Sequence, residues 1–336
     1  MSRVAIVLLN WNGWRDTISC IESLFALEND DVHIYVCDNA STDDSVAQLR
    51  EWVDRNLETA NRKRETLGLT GFTVRDLFHF TWDPDPMLVG RIKAVNSVTF
   101  IQNRRNGGFA FGNNIGLLQA WCNDSEYFWV LNNDTEVEPD SLTWLLKRMD
   151  ADPEIGICGS TLVYNAKRDT VQTWGGSKFL PLKGYSVALG AFHARAEEVD
   201  AHSVEKQLSY VNGASMFISK AFYEKIGPMR EDYFLYWEEL EWCYRAKGMF
   251  KLGYAEKSIV YHKVGASIGT KDEGESSVFS DYYMYRNQIR FCLQYSKISL
   301  PNAALRILRS AMKSALAKDY RRSKTHLRAL LNLPYS

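Results

Sequence analysis

Unbroken apolar runs, each followed by polar loop chemistry and then by a helical pattern, constrain this chain more than any other feature. Residues 4–9 (VAIVLL), 32–37 (VHIYVC) and 127–131 (YFWVL) are apolar at nearly every position. A strand wetted on one face alternates, whereas a continuous run is what a strand buried on both faces shows. Between the first two runs, Ile18, Ile21, Leu24 and Phe25 recur at helical spacing over residues 16–27. Strand, helix, strand, helix at this pace is a βαβ unit, so the spacing predicts a parallel sheet flanked by helices. After Asp38, the stretch NASTDDS supplies turn and cap residues, and Asp43 or Asp44 would cap a helix through Arg50 or beyond.

Residues 98–101 resume the sheet, and the glycine-rich NRRNGGFAFGNNIG leads into a helix over 111–121. Pro139 suits the first turn of a helix to about Met149, and further strands are expected at 157–163 and 259–262. Residues 56–96, with polar NRKRETLG and turn-like WDPDP, read as an insertion with at most local structure. The expected organisation is one α/β domain over 1–268, a flexible GTKDEGESS, and a helical region within 269–336.

Net charge is −1, so bulk electrostatics do not call for nucleic acid. The charge is uneven, because residues 301–336 hold eight Lys or Arg against the single Asp319, a net of +7. In that stretch Leu305, Leu308, Met312, Ala315 and Leu316 recur at helical spacing beside Arg306, Arg309, Lys313 and Arg321. Two occupants for this basic amphipathic helix stay open: an anionic membrane surface, or the acidic body of the chain or of a homodimer partner. Six scattered cysteines with no CxxC pair read as reduced core thiols. No signal-peptide pattern opens the chain, and no apolar run nears the ~20 residues of a spanning helix. The expectation is a cytoplasmic protein, peripheral at the inner face of the cytoplasmic membrane.

In a parallel sheet, ligands sit beyond the carboxyl ends of the strands. Asn10 and Asn12 follow the first run, Asp38 and Asn39 the second, and Asn132, Asn133 and Asp134 the run at 127–131. Such residues are also ordinary loop residues, and their recurrence after successive strands is what singles them out. Asp38 could accept a base N–H, and Asn106, Gly107 and Gly108 could let backbone approach a nucleotide. Neither GxGxxG nor GxxxxGK[ST] occurs, which argues against a dinucleotide or P-loop site. Glu238 and Glu239 are ~100° apart on a helix and cannot face the same way. Glu241 and Arg245, at i and i+4, would pair as surface ions. His262 ends the apolar SIVYH and is by itself as readily structural as ligating.

The set VLLNWNG (7–13), VCDNASTDDS (36–45), RNGGFAFGNNIGL (105–117), VLNNDTEVEPDSL (130–142), VNGASMFIS (211–219), FLYWEELEWCYRAKG (234–248) and IVYHKVGAS (259–267) resembles the inverting family 2 glycosyltransferases of the GT-A fold, particularly bacterial rhamnosyltransferase-like members. YYMYRNQIRF (282–291) looks like the family's distal helix. The resemblance implies a Rossmann-like, mostly parallel sheet with a C-terminal helical extension. Asp38 would contact the base, with Asn10, Asn12, Asn106, Gly107, Gly108, Asn113, Asn132 and Asn133 lining the nucleotide pocket. Asp134 matches the last acid of the family's metal motif, whose first position here is Asn132, and His262 would join it on Mg²⁺ or Mn²⁺. The EE pair stands where the family carries its catalytic base, with Glu239 preferred over Glu238. Trp174, Gly213, Ala214 and Trp237 would meet the acceptor. The implied activity is transfer of a sugar, rhamnose from dTDP-rhamnose with a UDP-sugar as first substitute, to a glycan or lipid-linked acceptor in cell-surface polysaccharide synthesis. Two other classes compete. A sugar-nucleotide nucleotidyltransferase would need a basic glycine-rich loop after the first strand, where NWNGWRD stands; a non-catalytic glycan-binding relative draws on Asn132.

Overall fold

The computed structural model describes residues 3–79, 96–263 and 277–335. The first half runs β1 (Val4–Asn10), α1 (Trp14–Phe25), β2 (Val32–Asp38), α2 (Ser45–Thr66), β3 (Thr73–His79), β4 (Ser97–Gln102), α3 (Gly108–Cys122) and β5 (Tyr127–Asn132). The second continues with β6 (Thr135–Val137), α4 (Ser141–Ala151), β7 (Ile155–Tyr164), β8 (Lys167–Trp174), β9 (Gly176–Leu180), β10 (Tyr185–Ala188), α5 (Ala201–Glu205), β11 (Tyr210–Val211), β12 (Ser215–Ser219), α6 (Lys220–Ile226), α7 (Glu238–Arg245) and β13 (Lys251–His262). Three helices follow: α8 (Val278–Tyr295), α9 (Leu300–Leu316) and α10 (Tyr320–Leu330).

The main sheet has the order β3-β4-β2-β1-β5-β12-β7-β13-β6, with β8 on β7. Pairing from β3 through β5 is parallel throughout, as the apolar runs predict. β12 enters reversed between β5 and β7, and β13 is parallel to β7. The two faces of the sheet carry separate cores. Ile6, Leu8, Ile34 and Leu131 face α1, α2 and α4, while Val7, Cys37 and Val130 lie on the side of α3.

Close approach of α3 to β1 explains two glycines. A Cβ on Gly116 would stand 2.4 Å from Val7 Cγ1, and one on Gly112 would stand 2.1 Å from Leu9 Cδ1. Val7 is buried and stiff at χ1, whereas Leu9 is half-buried and can swing away.

The structure revises the expected insertion. Residues 56–66 are the C-terminal half of α2, and 73–79 form an edge strand. The polar composition hid this because the stripe of Leu49, Trp52 and Val53 thins to Leu57 and Ala60 in the second half, which a buried arginine then anchors. Arg64 donates to the carbonyls of Leu27, Asn29 and Thr70 and meets Asp30 Oδ1 at 3.0 Å. The rest of the expected insertion (80–95), the boundary at 268/269 and most of GTKDEGESS lie outside the described residues.

The basic tail forms two helices where one was expected. Ala303, Ile307 and Ala311 face inward on α9, with Ile289 and Cys292 of α8 beneath them. Arg322 and His326 of α10 both reach Asp281 Oδ2 at 3.1 Å. Docking on the body therefore holds for one face, while Leu305, Leu308, Met312 and Leu316 stay exposed. Five of the six cysteines are buried, Cys122 partly so, as core thiols would be. No helix among the described residues is long and apolar enough to cross a membrane.

Gly116→Ala should lower unfolding free energy by about 1–3 kcal/mol, overpacking against Val7 outweighing the better helix propensity. Gly112→Ala should cost less, because Leu9 yields. Urea titration of both variants checks the order; a reversed order would mean that α3 does not sit on β1 as described.

Candidate active site

Parallel register brings the strand ends to one edge. Asn10 pairs with Asp38, and Leu9 with Asn132. Asp38 is buried and accepts from Asn10 Nδ2 (2.8 Å), Ser41 Oγ (2.5 Å) and the Ser41 N–H (2.9 Å). Asn10 Oδ1 in turn accepts from Thr17 Oγ, at 2.9 Å. Asn10 therefore orients Asp38, and Asn12, in the left-handed region at φ 51°, braces the backbone of Thr42. Asn39 bridges to the glycine-rich loop, donating to Asn106 Oδ1 and the Gly108 carbonyl.

The glycines of that loop are explained by protein neighbours. A Cβ on Gly107 would strike the Phe111 ring, and one on Gly108 (φ 89°) would stand 2.1 Å from the Phe234 carbonyl oxygen. The backbone that Gly108 admits is thus that of residue 234, and Phe109 N–H donates to the same oxygen at 2.7 Å. Asn113, one turn into α3, donates to the Phe109 carbonyl and keeps a buried Oδ1 with no hydrogen bond. Asn133 is committed to Thr17 Oγ and the start of α1.

Asp134 is buried beyond the tip of β5, and its Oδ1 has no hydrogen-bond partner. His262 Nε2 lies 3.3 Å from that oxygen, and His262 Nδ1 lies 2.9 Å from Gln172 Oε1. With Nδ1–H donated to Gln172, the other ring nitrogen faces the carboxylate oxygen, as a donor to it when the pair stands alone and as a ligand beside it when a cation lies between them. Burial alone would raise the Asp134 carboxyl; His262, with Lys263 adding to it, holds it below the ordinary range. No group of three or more His, Cys, Asp or Glu side chains that could hold a metal exists among the described residues. An oxygen-and-imidazole pair suits a divalent ion that takes its other ligands from phosphate and water. Gln172 was not foreseen, since nothing in VQTWGG points at a residue ninety positions away.

On the far side of β5, Asn132 N–H donates to the Ala214 carbonyl, and Gly213 lies beside Glu239. A Cβ on Gly213 would be 3.9 Å from Glu239 Oε1. Glu238 and Glu239 open α7 after three non-glycine residues in the left-handed region, Phe234 (φ 66°), Tyr236 (φ 65°) and Trp237 (φ 76°). Such residues cost on the order of 1–3 kcal/mol each. Glu238 is buried, Glu239 keeps one edge to solvent, and Oε2 of each is buried without a hydrogen bond. Burial pushes the Glu239 carboxyl up to about 7, and burial together with the Glu239 charge raises Glu238 well above the carboxylate range.

Two expectations are corrected here. Glu241 is fully buried, so its 2.9 Å pair with Arg245, shared with Tyr295 Oη, is no surface ion pair. The Trp237 ring packs with Phe179 and Phe291 and donates to Met284 Sδ instead of facing an acceptor. Trp174, half-buried beside Gly190 and His193, keeps an accessible face and is not one of them. In each case the residue was placed correctly along the chain, and its neighbours come from segments that local spacing does not reveal.

Residues 91–225 match the family model described as glycosyl transferase family 2. That segment holds the glycine-rich loop, Asp134 and Gly213, and leaves Asp38, Glu239 and His262 outside. Over 156 residues the chain is 28% identical to the low-salt glycan biosynthesis hexosyltransferase Agl10 of Haloferax volcanii, covering 45% of this chain and 47% of that protein. The chain thus spans about half the length of the curated relative it matches. The mannosyltransferase PcManGT of Pyrobaculum calidifontis, solved in complex with GDP-Man and Mn²⁺, superposes with a TM-score of 0.54 at 13% identity, over 98% of this chain and 86% of that one. The shared architecture is the GT-A fold, a mostly parallel central sheet flanked by helices.

A carboxyl raised by burial stabilises the fold fully below its unfolded value, and that contribution is lost as pH rises through the folded value. For Glu239 the window runs from 4.5 to about 7. Glu239→Gln, which stays neutral, should therefore melt about 2–4 °C above wild type at pH 8, with the gap closing at pH 5. Thermal melts at the two pH values check this, and equal melting at pH 8 would show that Glu239 is not desolvated.

Proposed function

We propose that this chain is an inverting, metal-assisted glycosyltransferase that moves a hexose from a nucleoside diphosphate donor to a glycan or lipid-linked acceptor. The observation that carries the reading is a desolvated acidic pair whose solvent-facing member, Glu239, shares the 213–214 turn as a neighbour with the strand that ends before Asp134. Rhamnose from dTDP-rhamnose is the donor we favour, on the motif set; a UDP-sugar is the substitute. The family match and the hexosyltransferase relative support a sugar donor. The Mn²⁺ complex of the structural neighbour supports a divalent ion; Mg²⁺ would serve the same two side chains.

Asp38 would receive the base, held in place by Asn10 and Ser41, with Asn106 and Asn113 nearer the sugar and phosphates. Asp134 and His262 would hold the metal, which supplies charge to stabilise a departing diphosphate. Glu239 takes the proton of the acceptor hydroxyl as that oxygen bonds to the anomeric carbon and the bond to the diphosphate breaks, its electron pair leaving with the diphosphate. One displacement inverts the anomeric centre. With a pKa near 7, Glu239 is a strong enough base to accept the proton and is largely ionised just above neutrality.

The exposed stripe of Leu305, Leu308, Met312 and Leu316, beside exposed Arg309, Lys313, Arg321 and Lys324, fits an anionic bilayer, where lipid-linked acceptors reside.

Asp134→Asn should keep its fold, lose metal-dependent donor binding and lose turnover. Calorimetry of dTDP and UDP with and without Mn²⁺, together with an assay of sugar transfer and of the released group, checks the assignment. Near-normal metal-stimulated transfer would reject Asp134, release of inorganic diphosphate would favour nucleotidyl transfer, and donor binding with no turnover in the wild type would favour a binding relative. The membrane reading predicts that Met312→Glu/Leu316→Glu abolishes flotation with anionic vesicles while leaving transfer to a soluble acceptor unchanged. Equal flotation of variant and wild type defeats it.

A further inference from the structure

The turn that delivers the acidic pair is held by one side chain from far along the chain. Asn287 sits in the middle of α8 and is wholly buried. Its amide nitrogen lies 2.7 Å from the Tyr233 carbonyl oxygen, 2.8 Å from that of Leu235 and 3.0 Å from that of Tyr236. These carbonyls converge because Phe234, Tyr236 and Trp237 are left-handed, a conformation that bulky side chains rarely adopt. Two hydrogens on one planar, neutral nitrogen serve three acceptors without burying a charge. Arg286 and Arg290 secure the preceding turn through the Asp232 carbonyl, each at 2.6 Å. Met284, one turn earlier on α8, receives the Trp237 indole N–H.

The arrangement has a cost that packing alone would avoid. Asn287 Oδ1 is buried with no hydrogen-bond partner. An apolar residue would fill the same space on a helix whose neighbouring turns present Met284 and Phe291 without stranding an oxygen. An amide at this place is explained by its donors, and all of its donor contacts go to the turn immediately before α7. Trp237 is the residue from which α7 starts, so relaxation of Tyr236 or Trp237 toward ordinary backbone angles would swing Glu238 and Glu239 together.

We propose that Asn287 is a positioning residue for the transfer step: it pins the left-handed turn 233–237 and so aims Glu239 at the acceptor hydroxyl. This rests on Glu239 being the base, as set out under Proposed function. Asn287 touches neither donor nor acceptor in this role, so its loss should act on turnover and spare donor binding.

The test uses the full chain with Asn287→Ala and the isosteric Asn287→Asp, which keeps the shape but sets carboxylate oxygens against three carbonyls. Amide hydrogen exchange over 234–239 should rise in both variants while β1, β2 and β5 stay protected. The affinity for dTDP or UDP with Mn²⁺, and the donor KM, should stay within about threefold of wild type, while kcat falls by about 10²-fold, the scale of a small misplacement of a reacting group. Asn287→Asp should not rescue kcat, although a role in filling space would let it. Unchanged exchange over 234–239, a preserved kcat in Asn287→Ala, or a rescued kcat in Asn287→Asp overturns the proposal while leaving Glu239 as the base. A wild-type chain that transfers no sugar from any donor overturns the reading of Glu239, and this proposal with it.

Discussion

Parallel pairing of β1 with β2 on one side and β5 on the other is the constraint on which the rest of the molecule depends. Parallel strands point the same way, so their carboxyl ends share an edge. The register that aligns Asn10 with Asp38 and Leu9 with Asn132 fixes which polar groups meet there. A slip of one residue would turn Ile6, Leu8 and Ile34 away from their core and remove Asp38 from Asn10. The apolar requirement of a sheet buried on both faces therefore enforces the alignment of the polar cluster at its edge.

The candidate site gives up stability that the body supplies. Two carboxyls are held out of water, three bulky residues adopt left-handed angles, and Asp134 Oδ1, Asn113 Oδ1 and one oxygen of each glutamate lack hydrogen bonds. A domain net stable by only a few kcal/mol tolerates these features when its neighbours fix them firmly. Here those neighbours are α8, through Asn287, and the buried Glu241 of α7 with its partners Arg245 and Tyr295. The distal helices thus belong to the same mechanical unit as the sheet.

The apolar runs and the polar residues at their ends were legible in the sequence because burial on both faces writes itself into every position of a strand. The regions that resisted reading have contacts that are remote and polar. The second half of α2 is polar in composition yet is anchored by Arg64, whose acceptors lie 34 to 39 residues earlier and 6 later. Gly107 and Gly108 suggested close approach to a nucleotide, and their closeness to Phe111 and Phe234 could not be read from spacing. Glu241 looked like a surface ion because its partner at i+4 is local, while Tyr295, which helps to close it in, is 54 residues away. For Asn287 a signal was available: an amide sits at helical spacing between Met284 and Phe291, on a face that should be apolar. Gln172 offered none, since its meaning depends on the distance to His262.

β12 carries a topological consequence. A strand that runs against its neighbours begins where they finish, so the turn leading into it, residues 212–214, arrives at the edge where β5 and β1 terminate. β12 thereby contributes its first residues, not its last, to the crevice. Inserting a reversed strand into a parallel sheet places a chain entrance among chain exits, and segments remote in sequence become adjacent at one edge of the sheet.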